Sequence, residues 1–410
     1  MKTDGFDEVD RQLVHALQLD GRAPFSRIAA VLGVSDQTVA RRYSRLRTSG
    51  LITVRGLTDP LRLGEVEWLV RVQCTPDAAA AVAEALARRP DTAWVSLMSG
   101  GTEITAVCRA TGSGQSDALL LQKLPRTPSV VGVTAHCVLH EFFSGPQGLV
   151  MKLGALSDEQ VESLRGPVPT APRGGPGADG ALGEAVVLEG DGPTTKDPGA
   201  PAEPGTPATR GTPPEPGDPE PPAPGFPDPA QPPALSPADG RLLDVLAQDG
   251  RTGFAELAGA TGWSQSTVRR RMAELRASGV LYYDVDCDSR IFGMGVMVAL
   301  WLSVAPADLA EAGEALAAHP EVAFACATTG PNNLFASLVC PDVRSLYTYL
   351  TTRVAALPGV RHMESSPLIR RVKGAGPIGS ASPATRPVIS PLAKSPATPS
   401  ARPSPTGRRR

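Results

Sequence analysis

Residues 10–52 of this chain recur at 239–281, offset by 229 positions without a gap, and 18 of the 43 aligned positions are identical. This duplication constrains the fold more than any other feature, because a residue kept in both copies is one the shared structure needs. The copies read DGRAPFSRIAAVLGVSDQTVARRYSRLRTSGLI and DGRTGFAELAGATGWSQSTVRRRMAELRASGVL.

The repeated segment reads as three helices. Val9, Leu13 and Leu17 recur every fourth residue, so Asp7 to Leu19 reads as a first helix with one buried face, broken by Asp20-Gly21-Arg22. Ser26 to Leu32 reads as a short second helix with Ser26 as its N-cap. Ala29, Gly33 and Val39 return as Ala258, Gly262 and Val268. They supply a small residue at a helix crossing, a residue tolerant of positive φ at a tight turn, and an apolar anchor. Ser35 and Ser264 follow the turn as N-caps of a longer third helix. This is the pattern of a helix-turn-helix.

On the third helix, Val39, Tyr43 and Leu46, or Val268, Met272 and Leu275, make the buried face. The other faces carry Ser35, Gln37, Thr38, Arg41, Arg42 and Arg45 in one copy, and Ser264, Ser266, Thr267, Arg269, Arg270 and Arg271 in the other. Residues 35–47 hold four arginines against one aspartate; residues 264–276 hold four against one glutamate. Helical arginines commonly just face solvent, but the same basic face twice suits a helix in the major groove of double-stranded DNA. There, short polar side chains reach base edges while arginines hold phosphate or guanine. Leu51 to Val54 and Leu281 to Tyr283 read as short β runs and predict a winged variant.

Each motif is followed by a unit of about eighty residues, matching at an offset of 230, with Pro90 over Pro320 and Pro128-Ser129-Val130 over Pro358-Gly359-Val360. Strands are expected over 66–74, 92–98, 103–109 and 130–140, with helices over 77–88 and 116–124. The second unit repeats this βαββαβ order over 296–369, a ferredoxin-like arrangement. The expected fold class is α+β: two copies of a winged helix-turn-helix followed by a ferredoxin-like domain.

The Asp-Gly-Arg before the second helix, the Val-x-Arg-Arg-x-x-x-Leu of the third, the Ser-Gly-Leu-Ile exit and the glycine between the middle strands carry a resemblance. A chain so ordered resembles the Lrp/AsnC (feast/famine) family of transcription factors, over nearly all of its ordered sequence and twice over. The resemblance implies DNA binding by dimers built through the βαββαβ domains, many of which sense an amino acid. In that family the loop between the middle strands typically reads Gly-x-x-Asp and lies near the effector. Here it reads Gly100-Gly101-Thr102-Glu103 and Gly330-Pro331-Asn332-Asn333. Gly100, Thr102, Glu103, Gly330 and Asn333 are therefore the effector candidates, with a plain β-turn as the alternative reading. Glu103 can meet an ammonium group, whereas Asn333 has lost the charge, so any sensing is expected to be asymmetric.

The domains expected are a winged helix-turn-helix at 1–57, an effector and dimerisation domain at 64–143, a linker at 144–235, a second winged helix-turn-helix at 236–286, a second ferredoxin-like domain at 293–373 and a basic tail at 374–410. Residues 166–235 hold ten acidic and three basic residues among prolines and glycines, which reads as a semi-extended spacer of roughly 40–50 Å. Residues 156–164 are expected to form a short helix ahead of it. The tail has six basic residues and no acid, which adds attraction for phosphate or is a tolerated extension. Net charge is −2, so attraction for DNA must be local to the third helices. The acidic start lacks the apolar core of a signal peptide, no run is long enough for a bilayer, and the six scattered cysteines read as reduced core residues of a cytoplasmic protein.

Enzymatic readings find little support. His136 and His140 fall on a strand with no third ligand in view, and no nucleophile elbow or phosphate-cradling loop is present. No cofactor or metal is implied. Sirohaem decarboxylases share this build and are the enzymatic alternative; an architectural DNA-binder of low specificity and a pure metabolite sensor are the others. The expected function is a sequence-specific transcriptional regulator and not an enzyme, pairing its halves within one chain and open to higher assembly. Gln37 against Ser266, and Ala40 against Arg269, are the differences expected to read different bases.

Overall fold

The computed structural model describes residues 5–110, 124, 126–144, 148–165 and 234–377. The expected helix over 116–124 (apart from Leu124, which lies in a turn), the spacer over 166–233 and the tail beyond 377 lie outside the described residues.

Three helices, α1 (Glu8–Leu19), α2 (Phe25–Leu32) and α3 (Asp36–Thr48), form the first helix-turn-helix. Asp7 caps α1 in a capping box with Asp10. Ser26 does not cap α2; Pro24 stands at the cap and Ser26 lies inside the helix, because proline's fixed φ already suits the entry. Gly33 ends α2 in the left-handed conformation at φ 65°, as Gly262 ends its counterpart at 76°. Strand β1 (Ile52–Thr58) follows, then β2 (Val66–Cys74), α4 (Ala79–Ala87), β3 (Thr92–Met98), β4 (Glu103–Ala110) and β5 (Val130–Phe143). Helices α5 (Gly148–Leu153) and α6 (Asp158–Arg165) come next. The second half repeats the plan with α7 (Pro237–Gln248), α8 (Phe254–Thr261), α9 (Gln265–Ala277), β6 (Leu281–Cys287), β7 (Val296–Val304), α10 (Leu309–Ala318), β8 (Val322–Thr328), β9 (Leu334–Cys340), α11 (Val343–Thr352) and β10 (Val360–Arg371).

The expected wings are not wings of their own motifs. β1 and β6 pair antiparallel with each other, from Ile52↔Cys287 to Thr58↔Leu281. At an offset of 229, Arg55 and Asp284 are equivalent, and they face each other in this register, so the pseudo-twofold axis passes through that pair. Each first helix then lies on the ribbon strand from the opposite half, α1 on β6 and α7 on β1. Close approach needs glycine: a Cβ on Gly21 would lie 2.8 Å from Tyr283, and one on Gly250 would lie 2.9 Å from the Arg55 carbonyl carbon.

The two ferredoxin-like sheets run β3-β4-β2-β5 and β8-β9-β7-β10. β5 and β10 are long enough to serve both: Val138 pairs with Thr328 of β8, and Leu368 with Met98 of β3, closing an eight-stranded barrel. Inside it, Leu69, Met98, Ala299, Trp301, Cys326, Phe335 and Leu368 form a seam core. Arg71 crosses that seam. It donates to Glu103 at 2.9 Å and to both Glu364 oxygens at 3.0 and 2.6 Å, with its guanidinium 5.0 Å from the Trp301 ring centre.

The linker expected from 144 begins later. Val150, Leu156 and Leu164 are buried in the core shared by both helix-turn-helix motifs. His15 Nδ1 accepts from the Ala155 and Leu156 amides, and Lys152 donates to the carbonyls of Ala317 and His319 at the end of α10 and of Val322 at the start of β8.

The glycines give a direct check. Gly250→Ala should cost about 1–3 kcal/mol in denaturant unfolding, because its Cβ meets backbone. Gly259→Ala, inside α8 with open space around it, should be neutral or slightly stabilising.

Candidate nucleic-acid interface and central cavity

Helices α3 and α9 start from the same capping chemistry. The Ser35 hydroxyl accepts from the Thr38 amide at 3.2 Å, and that of Ser264 from the Thr267 amide at 3.1 Å. The cap residues thus spend their acceptors on the helix. Thr38 and Thr267 hydroxyls lie within 3.0 and 2.9 Å of the same cap oxygens, while Gln37 and Ser266 lie exposed on the first turn.

The arginines divide into two sets. Arg42 donates to Asp7 at 2.7 Å and to Asp10 at 2.8 Å, and Arg45 reaches Asp10 at 2.5 Å. Arg271 repeats this on Asp239 at 2.7 Å and also holds Glu274 at 3.0 Å. Asp10 and Asp239 are buried at 0 and 2 % exposure, so these guanidiniums tie the third helix to the first. Arg42 and Arg271, and Arg45 in part, thus have an anchoring role beside the groove-facing one expected of them. Arg41 and Arg270 remain exposed, Arg270 holding only a loose 3.6 Å contact with Glu274. Arg269 stacks 4.4 Å from the Phe254 ring centre. Burial pushes the Asp239 carboxyl up, but the Arg271 guanidinium and the Ser236 cap outweigh it and hold it below the ordinary value.

Sequence reading missed what the kept Asp-Gly-Arg does. Arg22 donates across the pseudo-twofold to the carbonyls of Gly250 and Thr252, at 2.6 and 3.0 Å. Arg251 answers onto the carbonyls of Gly21 and Ala23, at 2.7 and 3.1 Å. Each guanidinium also lies over a ring of the opposite motif, Arg22 on Phe254 and Arg251 on Phe25. This reciprocal clasp fixes the separation of the two third helices. Only the recurrence of Arg22 as Arg251 signalled it.

The effector candidates are placed otherwise than expected. Glu103 is 6 % exposed and accepts from Arg71 and Ser99, so its carboxylate is taken and not open to an ammonium group. Asn333 bridges both backbone groups of Val304, at 2.8 and 3.0 Å, and so extends the sheet. Thr102 closes the turn onto the Ser99 carbonyl; Gly100 is exposed at φ 76°; a Cβ on Gly330 would strike His136 at 2.6 Å. The five do not converge on one open site.

The enclosed space lies elsewhere. A cavity of 280 Å3 opens between the sheets and under the β1–β6 ribbon, lined by Glu67, Arg109, Glu141, Asp284, Asp286 and Arg371 among others. Burial pushes Glu141 up to about 7, with Glu67 adding to the rise, and pushes Asp284 up to about 6. Asp284 keeps some free surface and lines the cavity.

The matched families agree with this geometry. An AsnC-type helix-turn-helix domain matches residues 6–47 and 235–276, and an Lrp/AsnC ligand-binding domain matches residues 297–378. An HTH-type transcriptional regulator of Pyrococcus furiosus is 29 % identical over 126 residues, covering 30 % of this chain and 85 % of its own length. The regulatory protein AsnC of Haemophilus influenzae is 28 % identical over 142 residues, covering 33 % of this chain and 95 % of its own. Among solved structures, the siroheme decarboxylase NirDL superposes with a TM-score of 0.50 at 13 % identity, over 90 % of this chain and 93 % of that one, a likeness of fold. By fold and site the chain is a tandem helix-turn-helix protein of the transcription-regulator class. It carries two AsnC-type helix-turn-helix domains and an Lrp/AsnC ligand-binding domain, the modules of Lrp/AsnC regulators.

Two measurements check these assignments. Arg271→Ala should destabilise by about 2–3 kcal/mol near neutral pH, because it strands a buried carboxylate. The loss should shrink in acid as Asp239 protonates. Asp284 works in the opposite sense. Its folded-state value of about 6 exceeds the ordinary 3.8, so its contribution is full below 3.8 and is lost as pH rises through 6. Relative to the parent, Asp284→Asn should therefore gain stability across that window and level off above it.

Proposed function

We propose that this chain is a sequence-specific transcriptional regulator that reads two different half-sites with two heads of one intramolecular pair. The observation that carries it is the pair of serine-capped third helices, pinned from behind by Asp10 and Asp239 and held apart by the Arg22–Arg251 clasp. Such pinning leaves Gln37 and Arg41 on one helix, and Ser266 and Arg270 on the other, on exposed faces. The AsnC-type match to both heads supports DNA as the partner, and the Lrp/AsnC ligand-binding match supports an amino acid or related small metabolite as effector. Because the heads differ at Gln37 against Ser266, and at Ala40 against Arg269, the preferred operator is an imperfect palindrome.

The likeness to a siroheme decarboxylase raises a second reading, which the cavity residues do not fit. Sirohaem is a large macrocycle edged with carboxylates. This cavity holds 280 Å3 and sets Asp59, Glu67, Glu141, Asp284 and Asp286 against Arg109 and Arg371, a wall that repels such a ligand.

Selection of DNA sites from a random pool at near-physiological salt tests the regulator reading. Enrichment of two unlike half-sites is the expected result; retention without enrichment marks an architectural binder, and a symmetric consensus counts against unlike heads. Arg41→Ala and Arg270→Ala should each weaken specific binding by about 1–3 kcal/mol where a base is read, or lower the salt slope by about 1 where a phosphate is held.

A further inference from the structure

The central cavity is two-faced. Toward the seam its wall is apolar and aromatic, from Leu69, Met98, Trp301, Phe324, Phe335 and Leu368. Toward the ribbon it is acidic. The arginines there are already engaged: Arg109 donates to Glu67 at 2.8 Å, and Arg371 to Asp286 at 3.3 Å. Glu141 and Asp284 have no ion-pair partner among the described residues; Ser144 donates to one, Gln18 to the other at 2.9 Å.

Two buried polar atoms on cavity-lining residues lack a hydrogen-bond partner. One is Oδ2 of Asp286, a residue 4 % exposed, which has only a 3.6 Å ion-pair contact with Arg55 Nε. The other is the indole Nε1 of Trp301, 1 % exposed. Native interiors rarely leave such groups unmet, because each costs its full desolvation. A space lined by surplus carboxylates at one end and by Trp301 and Phe335 rings, 4.5 Å apart, at the other has the chemistry of an amine site.

We propose that this cavity binds a small organic monocation, with an ammonium or amidinium head between Glu141 and Asp284 and an apolar, ring-bearing body against Trp301 and Phe335. The cationic head supplies the counter-charge that neither carboxylate has, and the body fills the dry end. A zwitterion brings its own carboxylate into an acidic wall and binds worse. A simple acid binds worse still.

Isothermal titration calorimetry of the full chain at pH 7.5 tests this with benzylamine, phenethylamine and tryptamine, against phenylalanine and 3-phenylpropionate. Saturable one-site binding by at least one amine is expected, with the zwitterion and the acid at least tenfold weaker. Asp284→Asn and Glu141→Gln should each weaken the amine at least tenfold. Both should stay folded, since neither loses a salt bridge; were Asp284→Asn to unfold, Glu141→Gln carries the comparison. Three amines without saturable heat, equal binding by phenylalanine or 3-phenylpropionate, or folded variants that bind like the parent would overturn the proposal. Binding is read on the protein alone, so its outcome is separate from that of the DNA selection.

Discussion

Arg71 is half-buried at the seam between the two sheets, held by one carboxylate from its own half and one from the other, and stacked on Trp301. At the offset of 230, Arg71 and Trp301 are equivalent positions, so the duplication has put unlike partners face to face. Two first halves joined in this way would set Arg71 against Arg71, a juxtaposition of like charges that costs several kcal/mol. Two second halves would set two indoles against each other without a cation. Buried ion pairs contribute little net stability and are better suited to choosing a partner. The seam therefore selects the mixed pair, which covalent linkage already favours.

The ribbon repeats the lesson at the axis itself. Arg55 and Asp284 are equivalent and opposed in register, while the Arg55 side chain contacts Asp286 and donates to the Ala247 carbonyl at 2.8 Å. Everything above the ribbon inherits its position from this pairing. Gly21 and Gly250 let the motifs approach it, and the arginine clasp then locks one motif to the other. Head separation is thus a property of the pair and not of either motif.

What could be read from the sequence was what is local. The caps at Ser35 and Ser264, the left-handed turns at Gly33 and Gly262, and strands such as Val66–Cys74 and Val296–Val304 follow from short-range rules, and they stand where expected. What misled was long-range. An arginine on a helix face looks the same whether it meets a phosphate or, as Arg42 does, an aspartate 32 residues earlier. Glu103 looked free because its partner Arg71 lies on another strand. The β runs after Gly50 and Gly279 were legible as strands, but their pairing across halves was not, since register is fixed by tertiary contacts. Val150, Leu156 and Leu164 were folded into a linker because neighbouring glycines and prolines masked a sparse apolar pattern.

The roof of the cavity and the support of the heads are the same two strands, and this joins the two sites. Gln18, near the end of α1, donates to Asp284 and accepts from the Val285 amide, so the first head rests on a carboxylate that also faces the cavity. The equivalent position in the second half is Ala247, whose methyl group cannot make that link. A cationic group drawn to Asp284 competes with Gln18 on one head only. A ligand shifts an equilibrium only through its differential affinity for two states, and here the difference resides in a single hydrogen bond and the carboxylate behind it. Coupling through this route acts on the first head while leaving the clasp, and so the separation of the heads, intact.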